Sequence, residues 1–109
     1  MKLKIFKYDI VESTNLTAIN LIKNNQCQNG FVHALSQTKG KGRYGKKWIS
    51  KRGNFFGTIF FCLRKNYPSV QEFSLINPIL IMEVISSYCG EKKTFFKSPN
   101  DIYIKKKKI

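Results

Sequence analysis

The stretch Gln37-Thr38-Lys39-Gly40-Lys41-Gly42-Arg43-Tyr44-Gly45-Lys46-Lys47-Trp48 lies between two apolar segments, residues 31–36 and 55–63. The flanking segments are rich in apolar, β-branched and aromatic residues, which predicts a strand on each side. Between them, alternating glycines let the backbone approach a ligand closely, while lysines and an arginine supply positive charge. We therefore expect residues 37–48 to form a mobile basic loop that closes over a small phosphate-bearing ligand.

Outside this stretch, the spacing of apolar residues alternates between the period of a strand and that of a helix. The predicted strands cover residues 3–9, 31–36, 55–63, 94–97 and 102–104, and the predicted helices cover residues 12–23 and 73–88. Ser13 or Thr14 is expected to cap the first helix, because a hydroxyl accepts hydrogen bonds from the free amides of the first turn. Pro78 is expected either near the start of the second helix or at a kink. The order of elements predicts an α/β (α+β) fold with one mixed sheet flanked by helices.

The charge of the chain is strongly unbalanced. Twenty Lys and Arg residues against six Asp and Glu residues give a formal net charge of +14 over 109 residues. A charge of this size indicates an anionic partner, such as nucleic acid, an anionic surface or a phosphorylated ligand. The alternative explanation is a codon bias towards A-rich codons, since lysine far outnumbers arginine. The arginines are Arg43, Arg52 and Arg64, and two of them lie within or just beyond the stretch 37–48.

The cysteines and the histidine predict neither a disulfide framework nor a metal site. Cys27, Cys62 and Cys89 are odd in number and form no C-x-x-C pair, so free thiols in the cytoplasm are expected. Cys62 and Cys89 lie among apolar residues and are expected to be buried. His33 lies in an apolar segment without other ligand residues nearby, which favours a structural role over metal binding. The sequence shows no secretory signal and no membrane-spanning run, so no membrane partner is expected.

Two common nucleotide-binding motifs partly match the glycine-rich stretch. Residues 40–45 fit G-x-G-x-x-G, and residues 40–46 fit the first part of a Walker A motif. Both motifs require a helix directly after the glycines, whose amino end holds the phosphate. Residues 46–53 carry no apolar stripe, and Lys47 stands where the Walker motif needs Ser or Thr for magnesium. We therefore exclude both motifs as explanations of this stretch.

Three segments in a fixed order carry a family resemblance. They are Glu12-Ser13-Thr14-Asn15, then Gln37-x-x-Gly40-Lys41-Gly42-Arg43-x-Gly45-x-x-Trp48, then Lys97-x-Pro99-Asn100-Asp101. The ordered set resembles the amino-terminal half of the catalytic domain of biotin protein ligases, and the resemblance covers nearly the whole chain. It implies the catalytic fold that biotin ligases share with class II aminoacyl-tRNA synthetases. Residues 1–109 would then form part of a biotin/lipoate ligase-type catalytic domain.

The resemblance also implies a two-step reaction. In this family the carboxylate of biotin attacks the α-phosphate of ATP, which yields biotinyl-5'-AMP and pyrophosphate with Mg2+ present. A lysine on the biotin carrier domain of a carboxylase then attacks the mixed anhydride. The implied substrates are therefore ATP and biotin, the implied partner is the carrier domain, and a homodimer is compatible with the resemblance.

By the same resemblance, the quoted motifs supply the site. The implied binding residues are Ser13, Thr14, Asn15, Gln37, Gly40, Lys41, Gly42, Arg43, Trp48 and Lys97. Residues 13–15 would hydrogen-bond the polar head of biotin, with Gln37 at the base of the pocket. Residues 41–43 would belong to the segment that orders over biotin and the adenylate, and Trp48 would hold the adenine side.

The implied catalytic cations are Lys97, beside the reacting carboxylate and phosphate, and Arg43. Cations at such a place stabilise developing charge when two anions are brought together. Two positions depart from the family pattern. Lys41 replaces the usual arginine, which removes the planar fork of a guanidinium, and Ser98 replaces the usual tryptophan.

The chain also differs from family members at both ends. No DNA-binding domain is expected ahead of Met1, and the sequence ends with Lys105-Lys106-Lys107-Lys108-Ile109, before the Gly-Ile-Leu segment and carboxy-terminal domain that the resemblance would imply. We expect a truncated catalytic domain that lacks part of the pocket, with a frameshift in the A-rich codons of this lysine run as the hypothesis. Reading the other frames of the nucleotide sequence for a Gly-Ile-Leu continuation tests it.

Two other functions compete with the resemblance. A small nucleic-acid-binding module fits the charge, but the aromatic residues within 55–61 are expected in the core and not on an exposed stacking platform. A lipoate-attaching relative shares the fold, although the Gly-Lys-Gly-Arg-x-Gly-x-x-Trp segment favours biotin. Binding of biotin with ATP, of lipoate, and of an oligonucleotide over a salt series separates the three functions.

Overall fold

The computed structural model describes residues 2–90 and 93–109 and divides the chain into two compact units, one ending at Leu63 and the other beginning at Arg64. Both units combine helix and strand, so the predicted α/β (α+β) class is confirmed. The expectation of one sheet is wrong, because the described strands form a four-stranded sheet in the first unit and a three-stranded sheet in the second. In the same described ranges, no helix is long and apolar enough to cross a lipid bilayer.

The first unit begins with a parallel strand pair joined by a helix. Strand β1 spans Lys4–Val11, helix α1 spans Thr14–Lys23, and strand β2 spans Gly30–Lys41. β1 and β2 run parallel, and parallel neighbours need a crossover connection, which α1 supplies. Two shorter strands, β3 at Lys47–Ser50 and β4 at Phe56–Phe60, pair antiparallel with successive parts of β2.

Small and aliphatic side chains let α1 pack closely on the sheet. The core consists of Ala18 and Leu21 from α1, Val32 from β2 and Phe60 from β4. Ala18 and Leu21 are three positions apart and share one face of the helix, and Val32 is completely buried beneath them. A Cβ at Gly30 would lie 2.7 Å from the Phe60 ring, so glycine at this position lets the ring close the core.

The basic stretch 37–48 is largely a β-hairpin, and the expectation of a loop is wrong for most of it. β2 continues through Lys41, and β3 begins at Lys47. Residues 42–46 lie between the strands, and the first and last of them are joined by an amide-to-carbonyl hydrogen bond of 2.6 Å. Strand pairing is made by the backbone and does not need apolar side chains. Because this stretch is rich in lysine, the sequence pattern did not indicate β3 or the part of β2 beyond residue 36.

The second unit combines a long helix with a small antiparallel sheet. Helix α2 spans Val70–Cys89, and strands β5, β6 and β7 span Thr94–Lys97, Asp101–Ile104 and Lys107–Lys108. α2 begins at Val70 instead of the predicted Phe73, because Ser69 and Glu72 form a reciprocal capping box at its start. Pro78 lies in the interior of the helix and not in its first turn.

The lysine run that follows β6 forms a tight turn and a strand. Lys105 and Lys106 both have positive φ, 49° and 66°, and β7 pairs antiparallel with β6. Lys108 of β7 forms an ion pair with Asp101 of β6, with 3.0 Å between nitrogen and oxygen. The sequence pattern predicted only a charge run here. It did not indicate the turn, because two consecutive lysines in the left-handed region are uncommon.

Some residues expected in the core are exposed. Cys62 is exposed and Cys89 is half-buried, so the expectation that both are buried is wrong. β4 ends at Phe60, and Cys62 therefore lies beyond the packed part of the sheet. Phe55 was also expected in the core, but it is 74% exposed. His33, for which a structural role was predicted, stacks on Phe55 with ring centroids 5.2 Å apart.

Candidate functional site

A pocket of about 200 Å³ lies in the first unit at the amino end of α1. Its lining residues come from the start of α1, from β2 and β3, and from β4 with the residue before it. They are Ser13, Thr14, Asn15, Gln37, Lys41, Trp48, Phe55, Phe56, Gly57 and Thr58. The first six of these were predicted as binding residues from two motifs that are far apart in the sequence. The fold therefore brings those two motifs together at one pocket.

The start of α1 places Ser13 and Thr14. Ser13 is the N-cap, as predicted, with an extended backbone (φ −159°, ψ 137°), and its Oγ accepts a hydrogen bond of 3.4 Å from the Leu16 amide. Thr14 is the first helical residue and is 5% exposed. Because the backbone changes from extended to helical at this point, residues 13–15 line the pocket together.

Gln37 connects β2 to α1. Its Oε1 accepts a hydrogen bond of 2.8 Å from the Thr14 backbone amide and lies 3.2 Å from the Thr14 hydroxyl. A backbone amide can only donate, so this contact fixes the orientation of the Gln37 side-chain amide. Its Nε2 therefore donates to Ser50 Oγ, 3.1 Å away. Among the described residues, every buried side-chain nitrogen and oxygen has a hydrogen-bond partner.

Gly40 brings the two strands of the hairpin together next to Gln37. A Cβ at this position would lie 2.4 Å from Ser50 Oγ, 2.8 Å from the Trp48 carbonyl oxygen and 3.1 Å from Gln37 Nε2. Two of these distances are too short for any side chain to be added without movement of the backbone or of Ser50. The hairpin thus requires glycine here for strand packing, in addition to the binding role that the motif predicts.

Lys41 and Trp48 lie on neighbouring strands of the hairpin and both line the pocket. Trp48 is 49% exposed, so part of its surface faces solvent. A lysine ammonium attracts carboxylate or phosphate, and an exposed indole stacks on a flat ring. This part of the pocket therefore suits an anionic ligand that carries an aromatic group.

Arg43 lies in the turn between β2 and β3, next to Gly42. A short 3-10 turn spans Arg43–Gly45, and Tyr44 within it has a positive φ of 58°. The Arg43 guanidinium lies over the Tyr44 ring, 5.2 Å from its centroid, and its Nη2 is 3.4 Å from the Tyr44 hydroxyl. In this arrangement the Arg43 side chain contacts Tyr44 and does not line the pocket.

Lys97 belongs to the second unit. It is the last residue of β5, it is exposed, and it pairs across the sheet with Asp101, the first residue of β6. The turn between them contains a cis peptide bond between Ser98 and Pro99. The motif Lys97-x-Pro99-Asn100-Asp101 is therefore a hairpin turn with Lys97 at the end of a paired strand.

Thr58 is a pocket residue that no motif indicated. Its Oγ1 lies 2.6 Å from Asn15 Oδ1 and 2.9 Å from Thr14 Oγ1. Thr58 is two positions from Phe56 and two from Phe60, both buried on the side of the sheet that α1 covers. Side chains along β4 alternate between the two faces of the sheet. This alternation is the sequence signal that places Thr58 on the same side as the start of α1.

Two ion pairs lie near the base of the hairpin. Lys39 Nζ lies 3.1 Å from Glu12 Oε1, and Arg52 pairs with Asp9 of β1. Both pairs are exposed and contribute little to stability individually. Within the described part of the chain, no acidic residue lines the pocket, and no three His, Cys, Asp or Glu residues lie close enough to hold a metal ion.

Comparison with known proteins shows the family of the chain. Residues 8–109 match the family model described as Biotin/lipoate A/B protein ligase family. The chain is 33% identical over 102 residues to the bifunctional ligase/repressor BirA of Bacillus spizizenii, which covers 92% of this chain and 31% of that protein. It is 26% identical over 99 residues to the biotin--[acetyl-CoA-carboxylase] ligase of Paracoccus denitrificans, which covers 90% of this chain and 41% of that protein.

A solved structure shows the same fold. The biotin protein ligase from Aquifex aeolicus in complex with biotin and ATP matches with a TM-score of 0.78 and 27% identity, over 97% of this chain and 44% of that chain. The chain therefore spans less than half the length of these relatives.

Proposed function

Because the chain belongs to the biotin/lipoate A/B protein ligase family, we propose that the pocket at the amino end of α1 binds the ureido ring of biotin. The resemblance predicted from three motifs is confirmed at the level of the family. The observation that carries the proposal is the hydrogen-bonded wall formed by Thr14, Asn15, Gln37 and Thr58. A ureido group has two N–H donors and one carbonyl acceptor, and hydroxyl and amide side chains supply partners for both kinds.

We further propose that the chain takes part in activation of biotin by ATP. The biotin carboxylate attacks the α-phosphorus, the bond to the pyrophosphate leaving group breaks, and biotinyl-5'-AMP forms. Lys97 and Arg43 would neutralise charge on the reacting anions, which is the main contribution a protein makes to joining two anions. The hairpin that contains Lys41, Gly42 and Trp48 would cover the adenylate and exclude water.

In the second step of the proposed reaction, a lysine amine of a biotin carrier domain attacks the carbonyl of the mixed anhydride, and AMP leaves. The partner of the chain would therefore be the carrier domain of a biotin-dependent carboxylase. The described residues offer no cluster of carboxylates for a resident metal ion. Mg2+ would instead arrive with the phosphates of ATP, as part of the substrate.

Binding measurements on the whole chain test this function. Isothermal titration calorimetry with biotin is expected to show saturable binding, and Mg-ATP with biotin is expected to release pyrophosphate. Lipoate lacks the ureido group, so weaker binding of lipoate is expected because donors in the wall would lose their acceptor. A chain that binds a random oligonucleotide with a steep salt dependence and binds neither acid would instead be a nucleic-acid-binding module.

A further inference from the structure

We propose that Thr58 is a positioning residue that fixes which end of the Asn15 side-chain amide faces the ligand. It would thereby make the pocket selective for a ring that carries a carbonyl acceptor. This inference rests on the proposed function, because biotin carries such a carbonyl in its ureido group.

The contacts of the Thr58 hydroxyl determine the orientation of Asn15. Its Oγ1 lies 2.6 Å from Asn15 Oδ1 and 2.9 Å from Thr14 Oγ1. A hydroxyl has a single hydrogen, so Thr58 donates to one of these atoms only. The contact with Asn15 is the shorter, and with the hydrogen placed there, Asn15 Oδ1 is the acceptor. The Asn15 Nδ2 is then directed away from Thr58.

The Thr14 hydroxyl completes this chain of hydrogen bonds. It donates its own hydrogen to Gln37 Oε1 over 3.2 Å, so it presents its oxygen, as an acceptor, to the Thr58 hydroxyl at 2.9 Å. Gln37 Oε1 remains held by the Thr14 backbone amide at 2.8 Å. Thr58 therefore faces two acceptor oxygens, and its hydrogen holds the nearer one, Asn15 Oδ1, towards it.

The orientation has a chemical consequence for the ligand. Asn15 is exposed and lines the pocket, so its Nδ2 offers N–H donors to a bound molecule. A carbonyl oxygen on the ligand matches these donors, whereas an N–H group at the same place does not. Without the Thr58 hydroxyl, the side-chain amide of Asn15 is free to flip by about 180° and present Oδ1 to the ligand instead of Nδ2, because the two ends of the amide have nearly the same shape.

Two ligands and three variants test the proposal. Biotin is compared by calorimetry with 2-iminobiotin, in which an imino group that donates hydrogen bonds replaces the ureido oxygen. Thr58→Val keeps the shape and removes the hydroxyl, Thr58→Ser keeps the hydroxyl, and Thr38→Val removes the hydroxyl of an exposed threonine on β2 as the matched control. Circular dichroism checks that each variant keeps the secondary structure of the parent chain.

The parent chain is expected to prefer biotin over 2-iminobiotin by about tenfold or more, which is the size expected from a mismatched polar contact. Thr58→Val is expected to lose about tenfold in biotin affinity and most of this preference, because either end of the amide can then face the ligand. Thr58→Ser and Thr38→Val are expected to keep the parental biotin affinity and the parental preference for biotin over 2-iminobiotin. A Thr58→Val variant that keeps the parental preference, or that loses both ligands by the same factor, overturns the proposal.

Nuclear magnetic resonance of the ligand-free chain separates this inference from the proposed function. The side-chain amide signals of Asn15 are expected to shift in Thr58→Val and to stay in place in Thr58→Ser. If they shift in this way while the parent chain binds neither acid, the positioning role stands and the biotin function fails. If they do not respond to Thr58→Val, the positioning role is overturned even when biotin binds.

Discussion

The side-chain oxygen of Gln37 accepts a hydrogen bond of 2.8 Å from the backbone amide of Thr14. This contact joins β2 to the first turn of α1 across 23 positions of sequence. A free amide at the start of a helix needs an acceptor, and here a strand supplies it. One side chain thus stabilises the helix start and shapes the wall of the pocket.

Replacing Gln37 by leucine tests this double role. The Thr14 amide and the Ser50 hydroxyl would lose a partner in a partly buried place, so the free energy of unfolding is expected to fall by about 1–3 kcal/mol. Biotin affinity is expected to fall by about tenfold or more for the same reason. Urea denaturation and calorimetry measure the two effects. Gln71→Leu, at an exposed site on α2, is the control. If the two variants have the same free energy of unfolding and the same biotin affinity, the prediction is contradicted.

Gly40→Ala is expected to destabilise the hairpin. The added Cβ would lie 2.4 Å from Ser50 Oγ and 2.8 Å from the Trp48 carbonyl oxygen, and relieving such an overlap costs about 1–3 kcal/mol. The matched control is Gly42→Ala, whose Cβ would lie 3.5 Å from the Lys46 carbonyl oxygen, an ordinary van der Waals distance. Its stability is expected to stay within about 0.5 kcal/mol of the parent. Thermal unfolding compares them. A Gly40→Ala chain as stable as Gly42→Ala would show that the strands separate without strain.

Lys97→Met tests the proposed catalytic cation. If Lys97 stabilises charge in the transition state more than in the bound state, the rate of pyrophosphate release is expected to fall by roughly 100-fold to 1,000-fold. Biotin affinity is expected to change little, because Lys97 is proposed to act on the carboxylate and phosphate and not on the ureido ring. Lys65→Met removes an exposed lysine from a loop of the second unit and is expected to leave the rate unchanged. A rate for Lys97→Met equal to that of Lys65→Met would remove Lys97 from the reaction.

Glu72 links the stability of α2 to pH. Hydrogen bonds from the Ser69 backbone amide and hydroxyl hold the pKa of Glu72 below its ordinary value of 4.5. A carboxyl with a lowered pKa stabilises the folded state above its unfolded pKa, and this contribution is lost as the pH falls through the folded value. The start of α2 is therefore expected to weaken in acid, below about pH 4.5.

Glu72→Gln removes the titration but keeps an acceptor for the cap. Its helix signal in circular dichroism at 222 nm is expected to be lower than that of the parent at pH 7 and to converge with it near pH 3. Glu83→Gln, in the same helix but away from the cap, serves as the control. A parent chain whose helix signal differs from that of Glu72→Gln by the same amount at both pH values contradicts the linkage.

The features that the sequence predicted well are those that depend on neighbours in the chain. Ser13 is a cap because a hydroxyl before an apolar stripe satisfies the helix start. Helix α1 and strand β1 follow from periodicity, and both were placed within a few residues. Six residues from two motifs that the sequence singled out line one pocket, and their role in binding stays a prediction.

The features that the sequence concealed depend on distant partners. Strand β3 is Lys47–Ser50, and its pairing with β2 comes from backbone groups and not from side-chain pattern. Thr58 joins the pocket through a contact across more than 40 positions, to Asn15. The exposure of Cys62 follows from where β4 ends, which propensity does not determine because residues 55–63 are β-formers throughout.

The hairpin reduces the conformational entropy that residues 37–48 would lose on closing over a ligand. Fixing the backbone of one residue costs about 1–2 kcal/mol, so ordering a loop of twelve residues would cost roughly 12–24 kcal/mol. The strands already hold residues 37–41 and 47–48, and a hydrogen bond from the Gly42 amide to the Lys46 carbonyl closes the turn between them. Seven of the twelve residues are thus ordered before a ligand arrives, which removes roughly 7–14 kcal/mol from that cost. A larger share of the attraction between the hairpin and a bound acid or adenylate then remains as net affinity.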